Sequence, residues 1–312
     1  MKLSILINFY DKDHYHIPNM LNHLSKLSFN KEVIFIDDRN DKSLDIRNEY
    51  NIPNEYKIIN SYETGENIGT FEARRTGVLN ATGEYVWFVD IDDEPLDFNV
   101  DLLKEKKELY YFNAIYHDVK NNKDVLEITK NDMFPFFVVE EYNEVLETKN
   151  NIVNIYFPPK DELFIGYVIR YLIYSMTFCV WDKLFKTDIL KEMYSEVETI
   201  KNFSYGEDSF MVRLYIKYLV SKNEGFRLQI STTPNYIYNQ YEVERYYFNR
   251  RYDFFSKEKI ERTLSINRKF FKGTFVEHFT YLEDNEEEFN LKQGNPSDVI
   301  KHNKVYTLIP TS

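Results

Sequence analysis

A chain of 312 residues, 43% of them hydrophobic, can bury a substantial core as one large domain or as a catalytic domain with an appendage. Only nine Gly and nine Pro exclude a low-complexity or loop-dominated chain. A formal net charge of −12 argues against a nucleic-acid backbone as partner, and the single cysteine excludes an intrachain disulfide.

Cys179 stands among apolar residues and reads as a buried thiol in a reducing compartment. Met1 to Tyr10 is too short for a secretory leader, and no apolar run approaches the ~20 residues of a bilayer span. The expectation is a soluble cytoplasmic protein, at most peripheral at the inner face of a membrane. Nothing in the pattern speaks to oligomeric state.

Strand and helix alternate over residues 1–95. Leu3 to Phe9 is a β-rich apolar run, and Pro18 to Leu27 has helical spacing, with Met20, Leu21, Leu24 and Leu27 on one face. Val33 to Ile36 reads as a buried strand ending at Asp37 and Asp38, and Ser43 to Tyr50 as a short helix. Tyr56 to Ile59 is a third strand, Thr70 to Leu79 a helix, and Tyr85 to Val89 a fourth strand. This order predicts an α/β fold with a mostly parallel, doubly wound sheet. Ligands of such sheets bind beyond the carboxyl ends of the strands. Asn8 and Asp11, Asp37 and Asp38, and Asp90 to Asp93 all fall at such ends, so three strands deliver polar groups to one edge.

The alternation then breaks. Leu109 to Val119 and Val125 to Thr129 flank Lys120 to Lys123 and predict a β-hairpin. Residues 131–160 are irregular. Glu162 to Tyr174 reads as a helix, Phe178 to Leu184 as a strand and Asp188 to Tyr194 as a helix. Gly206 precedes an amphipathic helix running to about Val220, and Tyr236 to Tyr238 is a short strand. From about Glu242 the pattern is helical, with Arg245, Arg250, Arg251 and Lys257 among aromatics. That segment reads as a solvated face, or as a surface for an anionic membrane or a lipid-linked acceptor.

Four groups of residues can carry chemistry. The apolar run Val86 to Val89 ends in Asp90-Ile91-Asp92-Asp93-Glu94. In an extended segment Asp90 and Asp92 share a side and offer hard oxygen donors suited to Mg²⁺ or Mn²⁺ carrying a diphosphate. The same residues also read as a solvated acidic turn. Asp37 and Asp38 can accept from a nucleobase or ribose, or cap the helix near Ser43. Gly69 precedes a helix carrying Arg74 and Arg75, whose first amides attract anions and whose guanidiniums pair with phosphate or with the acids at 90–93. Glu207 and Asp208 open a later helix, either as caps or as a general base.

Several segments together resemble a known pattern. Leu3 to Asp11 is similar to the first strand of family 2 glycosyltransferases, which have the GT-A fold. Glu32 to Asp38 is similar to the second strand and its diacid. Asn67-x-Gly69-x-x-x-Ala73-Arg74-Arg75-x-Gly77 is similar to the following helix, and Gly83 to Asp93 to the segment ending in the metal motif. Trp181-Asp182-Lys183-Leu184 and Glu207-Asp208 resemble motifs of bacterial polysaccharide-type members. Five positions depart from the pattern: Asn8 for Pro, Asp11 for Asn, Arg39-Asn40 for Gly-Ser, and Arg75 for Asn.

The resemblance implies roles for individual residues. Tyr10 and Asp38 frame uracil and ribose, and Asn67 and Arg74 hold the donor side. Asp90 faces ribose or metal, Asp92 binds the metal, and Asp93 faces the donor sugar or supports the loop. Asp208 is the general base, with Trp181, Lys183 and Glu207 on the acceptor side. The implied reaction is an inverting, Mn²⁺- or Mg²⁺-dependent transfer from a UDP-sugar donor to a hydroxyl of a glycan or lipid-linked glycan acceptor. The implied layout is a catalytic domain over 1–220, divided into a nucleotide-binding half (1–95) and an acceptor-side half (96–220), with a mainly helical extension over 221–312. Two rivals remain. A nucleotidyltransferase would carry a Gly-rich loop where Phe9-Tyr10-Asp11-Lys12-Asp13 stands, and a non-catalytic nucleotide-sugar-binding relative would keep the pocket but lack the base.

Overall fold

The structure, a computed structural model, describes residues 1–41, 43–61, 68–119, 121–126, 146–149, 152–157, 179–203, 206–222 and 224–240, with positions 262, 265–267 and 269–271. Its first half follows the predicted alternation closely. β1 (Leu3–Phe9), β2 (Lys31–Asp37), β3 (Lys57–Asn60) and β4 (Tyr85–Asp90) are linked by α1 (Ile17–Lys26), α2 (Ile46–Glu49) and α3 (Thr70–Asn80). All four strands pair in parallel, in the order β3-β2-β1-β4. The chain therefore winds away from β1 through β2 and β3, then returns to its other side. The switch point lies between β1 and β4, where such sheets bind ligands.

The two faces of β1 have different partners. Leu3, Ile5, Ile7 and Phe9 pack toward α1, which buries Ile17, Met20 and Leu24. Leu6, with Ile34, Ile36, Val86 and Phe88, packs on the opposite face, under α3. Gly77 permits that approach, since a Cβ there would stand 2.4 Å from Ile36 Cδ1. The short helix α2 is capped by Asp45, whose Oδ1 accepts from the amides of Arg47 (3.1 Å) and Asn48 (3.2 Å). The diacid at 37–38 therefore does not cap it.

The second half is largely antiparallel. β5 (Glu94–Pro95), β6 (Leu109–Asp118), β7 (Lys123–Leu126), β8 (Leu146–Lys149), β9 (Ile152–Phe157), β10 (Lys183–Lys186) and β11 (Phe226–Gln240) extend the sheet in the order β4-β10-β6-β11-β9-β8. The predicted hairpin is present as β6–β7, and α4 (Thr187–Glu196) and α5 (Glu207–Ser221) are the two predicted helices. The strand expected over Phe178 to Leu184 begins later, at Lys183, because Val180 and Lys183 form a turn, with the Lys183 amide 3.2 Å from the Val180 carbonyl. Two expected helices, over 162–174 and from 242, fall outside the described residues.

The short strand expected at Tyr236 to Tyr238 is the end of a fifteen-residue strand that pairs in parallel with β6 and antiparallel with β9. The sheet thus continues past residue 220, where a helical extension was expected to begin. Among the described residues no helix is long and apolar enough to cross a membrane.

Candidate active site

The acidic cluster is a turn, contrary to the extended segment expected. The Asp93 amide donates to the Asp90 carbonyl at 3.2 Å, closing the chain just beyond β4. β11 holds this turn from the side. β5 pairs with it at Tyr236 and Ile237. The Asp90 amide donates to the Tyr236 hydroxyl (3.0 Å), which donates to Asp93 Oδ2 (2.8 Å). The Asn239 amide donates to Asp93 Oδ1 (2.8 Å), and Asn239 Nδ2 donates to the Asp92 carbonyl (2.8 Å). Burial, reinforced by Asp90 and Asp92, pushes the Asp93 carboxyl well above the usual carboxylate range. Asp93, 2% exposed, is thus an internal anchor of the loop. Asp90 and Asp92 stay partly exposed at its mouth.

Arg74 joins this loop to a distant part of the chain. Its guanidinium is buried over the Phe88 ring (5.7 Å) and lies 3.6 Å from Asp90 Oδ1 and 3.7 Å from Glu207 Oε1, with a direct ion pair to Asp208. Burial alone would lower the Arg74 pKa. The carboxylates of Asp208, Glu207 and Asp90 more than offset it, so the guanidinium stays charged. Glu207 moves the other way: burial first, then Asp208, push it up to about 7. Gly206, in the left-handed region at φ 67°, turns the chain so that α5 starts with both acids beside Arg74. One cation against three carboxylates leaves the cluster with excess negative charge.

The amino end of α3 does not offer the anion site expected of it. The Asn202 amide donates to the Ile68 carbonyl (2.8 Å), and the Phe71 amide donates to the Phe203 carbonyl (3.2 Å). The close approach that Gly69 permits is taken by this backbone, since a Cβ there would lie 2.8 Å from the Phe203 nitrogen. Glu72 fastens the same loop by accepting from the Ile200 amide at 2.7 Å. Asn67 lies outside the described residues.

At the ends of β1 and β2 the two acids have separate partners. Asp37 is gripped by Arg39 through Nε (3.0 Å) and Nη2 (2.8 Å) and is structural. Asp38 accepts from the Ser61 hydroxyl, and its amide donates to the Phe9 carbonyl at 3.0 Å. Tyr10 is 42% exposed, and its hydroxyl accepts from Asn40 Nδ2 at 2.9 Å. The 3₁₀ turn Asp11–His16 brings Asp13 toward the acid loop; burial raises the Asp13 carboxyl, and Asp92 adds to that shift.

Trp181 and Lys183 are buried beneath the site. Trp181 stacks on Tyr236 (4.8 Å) and Tyr238 (5.2 Å), and its carbonyl accepts from Trp87 Nε1 at 2.6 Å. Lys183 Nζ donates to the Cys179 carbonyl (2.7 Å) and pairs with Asp182 (2.5 Å). Burial pushes the Asp182 carboxyl up to about 6 despite that lysine. These residues brace the sheet under β11, whereas Glu207 reaches the charged cluster. Cys179, expected to be buried, is half-buried.

The model of the family described as Glycosyl transferase family 2 matches residues 4–159, half of the chain. The chain belongs to glycosyltransferase family 2. Among solved structures, S. aureus TarS is similar at 18% identity and a TM-score of 0.50, covering 94% of this chain and 46% of TarS. S. aureus TarS 1–349 in complex with UDP is similar at 19% identity and a TM-score of 0.51, covering 94% of this chain and 76% of that one. At such identities the likeness establishes a shared fold, the GT-A arrangement of a mixed α/β sheet. The chain spans about half the length of full TarS. Comparison with curated proteins returns no match.

Within this glycosyltransferase domain, no group of three or more acidic, histidine or cysteine ligands converges among the described residues. The donor set nonetheless fits a hard divalent cation completed by a ligand's own oxygens. Asp90 and Asp92 stand at the mouth, the surrounding charge is negative, and such ions are commonly held by one or two carboxylates plus phosphate. Asp93 has no spare role there, because both its oxygens are committed to β11. Tyr236 and Asn239 shape the site yet carry no motif. Their link to the acids spans more than 140 residues of sequence, and only the alternating aromatics of 236–238 hint at a strand.

Proposed function

We propose that the chain is an inverting, metal-dependent glycosyltransferase that takes a UDP-sugar as donor and a hydroxyl of a glycan or lipid-linked glycan as acceptor. The observation that carries this reading is the meeting of Asp90, Arg74, Glu207 and Asp208 beside the switch point of the sheet. It joins the end of β4 to the acids that open α5, as donor and acceptor sides must join for transfer. Further support comes from family membership and from the fold likeness to TarS 1–349, whose structure holds UDP.

In this reading Tyr10 and Asp38 border the nucleoside and Arg74 lies toward the diphosphate. Asp92 and Asp90 hold Mn²⁺ or Mg²⁺, which when bound neutralises charge on the leaving diphosphate. Asp208 takes the proton of the acceptor hydroxyl as its oxygen bonds to the anomeric carbon and the bond to the diphosphate breaks. Arg74 fixes the orientation of Asp208 through their ion pair.

A panel of UDP-, GDP- and dTDP-sugars with Mn²⁺, read as nucleotide release, tests the donor class; UDP-sugars alone should turn over. Asp208→Asn should cut transfer by about 10²–10⁴-fold while UDP binding persists. Transfer that survives this substitution removes Asp208 as base, and absence of metal-dependent UDP binding removes the whole reading.

A further inference from the structure

Asn8 sits at the switch point, near the end of β1, in register with Asp90 of β4 and Ile36 of β2. By strand alternation its side chain lies on the face that carries Leu6, the face covered by α3. Arg74 closes over that face, above Phe88 and 3.6 Å from Asp90. Asp38, two residues past Ile36, belongs to it as well. Asn8 Nδ2 and Oδ1 are both buried, and neither has a hydrogen-bond partner among the described residues. An amide with both halves unmatched is costly in a folded protein, a cost that water or a bound ligand relieves.

The chemistry of such a ligand follows from the amide. Its orphaned atoms are one donor and one acceptor, and an ionised phosphate, which has no proton to give Oδ1, would satisfy only Nδ2. A neutral pair of adjacent hydroxyls fits: one donates to Oδ1, its neighbour accepts from Nδ2, and the remaining hydroxyl proton faces a carboxylate. The family pattern has Pro at this position, which offers no polar side chain, so the amide is a feature of this chain. We propose that the Asn8 carboxamide binds a vicinal hydroxyl pair of the nucleotide-sugar donor and contributes to donor selectivity. The proposal rests on the donor reading above. Both the ribose and the transferred sugar present such a pair.

Titration calorimetry with Mn²⁺ separates the cases, using UDP, 2′,3′-dideoxy-UDP, UDP-glucose and UDP-N-acetylglucosamine against wild type and Asn8→Ala. If ribose is the ligand, wild type prefers UDP over the dideoxy analogue by about tenfold, and N8A narrows that preference, keeping only what the neighbouring carboxylates supply. If the transferred sugar is the ligand, N8A keeps that preference and loses the extra affinity of a UDP-sugar over UDP. Retention of both preferences by N8A overturns the proposal. N8A should melt at or above the wild-type temperature, because it removes an unmatched amide. A marked fall in both N8A and Asn8→Val would make Asn8 structural and also overturn the proposal. Asn8→Val, which favours a strand, should give the same ratios and serves if N8A folds poorly. Failure of wild type to bind UDP is a distinct result, which removes the donor reading and this inference with it.

Discussion

Glu207 faces Asp208, Arg74 and Asp90, and its proton reports on the charged cluster. Its ordinary pKa of 4.5 rises to about 7 in the folded chain, through burial and the neighbouring Asp208. Between those values the folded state keeps a proton that the unfolded state releases, so stability declines as pH rises. The contribution is complete below pH 4.5 and lost once pH passes about 7. Glu207→Gln stays neutral throughout and escapes that loss. Urea unfolding should therefore find Glu207→Gln more stable than wild type at pH 8, by roughly 2 kcal/mol, and nearly equal to it at pH 4.5. An equal difference at both pH values would mean that Glu207 is not held protonated by the cluster. Asp208 shares the same guanidinium, so Glu207→Gln leaves the Arg74–Asp208 pair in place.

At the scale of elements, β11 decides the shape of the acid loop. Tyr236→Phe removes the acceptor for the Asp90 amide and a donor to Asp93 while preserving the ring stacked on Trp181. The buried Asp93 oxygen then loses a partner, which should cost about 1–3 kcal/mol in chemical unfolding. The loosened loop should also weaken Mn²⁺-dependent UDP binding, and an unchanged affinity would show that β11 does not shape the mouth. The acids themselves were legible in the sequence, because an apolar run ending in carboxylates marks a strand leaving the core. So was the first half of the sheet, where each strand and helix buries a face set by its own local period. β11 was not. Its fifteen residues break stride at a bulge around Pro234, and its partners β6, β9 and β5 are all far away in sequence. The amides after Gly69 read in the sequence as an anion site because a glycine ahead of a helix looks the same whether an anion or the 202–203 backbone fills the space.

Across the whole molecule the sheet separates its labour between two edges. The carboxyl ends of β1, β2 and β4 gather charge for chemistry, and the opposite ends gather it for stability. There Glu32 accepts from Ser4 Oγ (2.5 Å), Thr82 Oγ1 (2.9 Å), the Gly83 amide (3.1 Å) and Lys57 Nζ (3.1 Å). Gly83 is needed for this closure, since a Cβ would stand 2.5 Å from the Ser4 nitrogen. Burial alone would raise the Glu32 pKa, but the bonds from Ser4, Thr82 and Lys57 outweigh it and pull it down to about 2. The sign is opposite to that of Glu207. Stability from Glu32 is fully present above pH 4.5 and lost as pH falls through about 2. Glu32→Gln keeps the volume and removes the charge that four elements share. It should lose about 2 kcal/mol at pH 7, a gap that narrows progressively below pH 4.5 as wild type itself protonates. Because Glu32 lies at the far ends of the strands from Asp90, the folded fraction of Glu32→Gln should bind UDP as wild type does. Weakened binding by fully folded Glu32→Gln would show instead that the two edges are coupled through β1 and β2, and that the division of labour is not real.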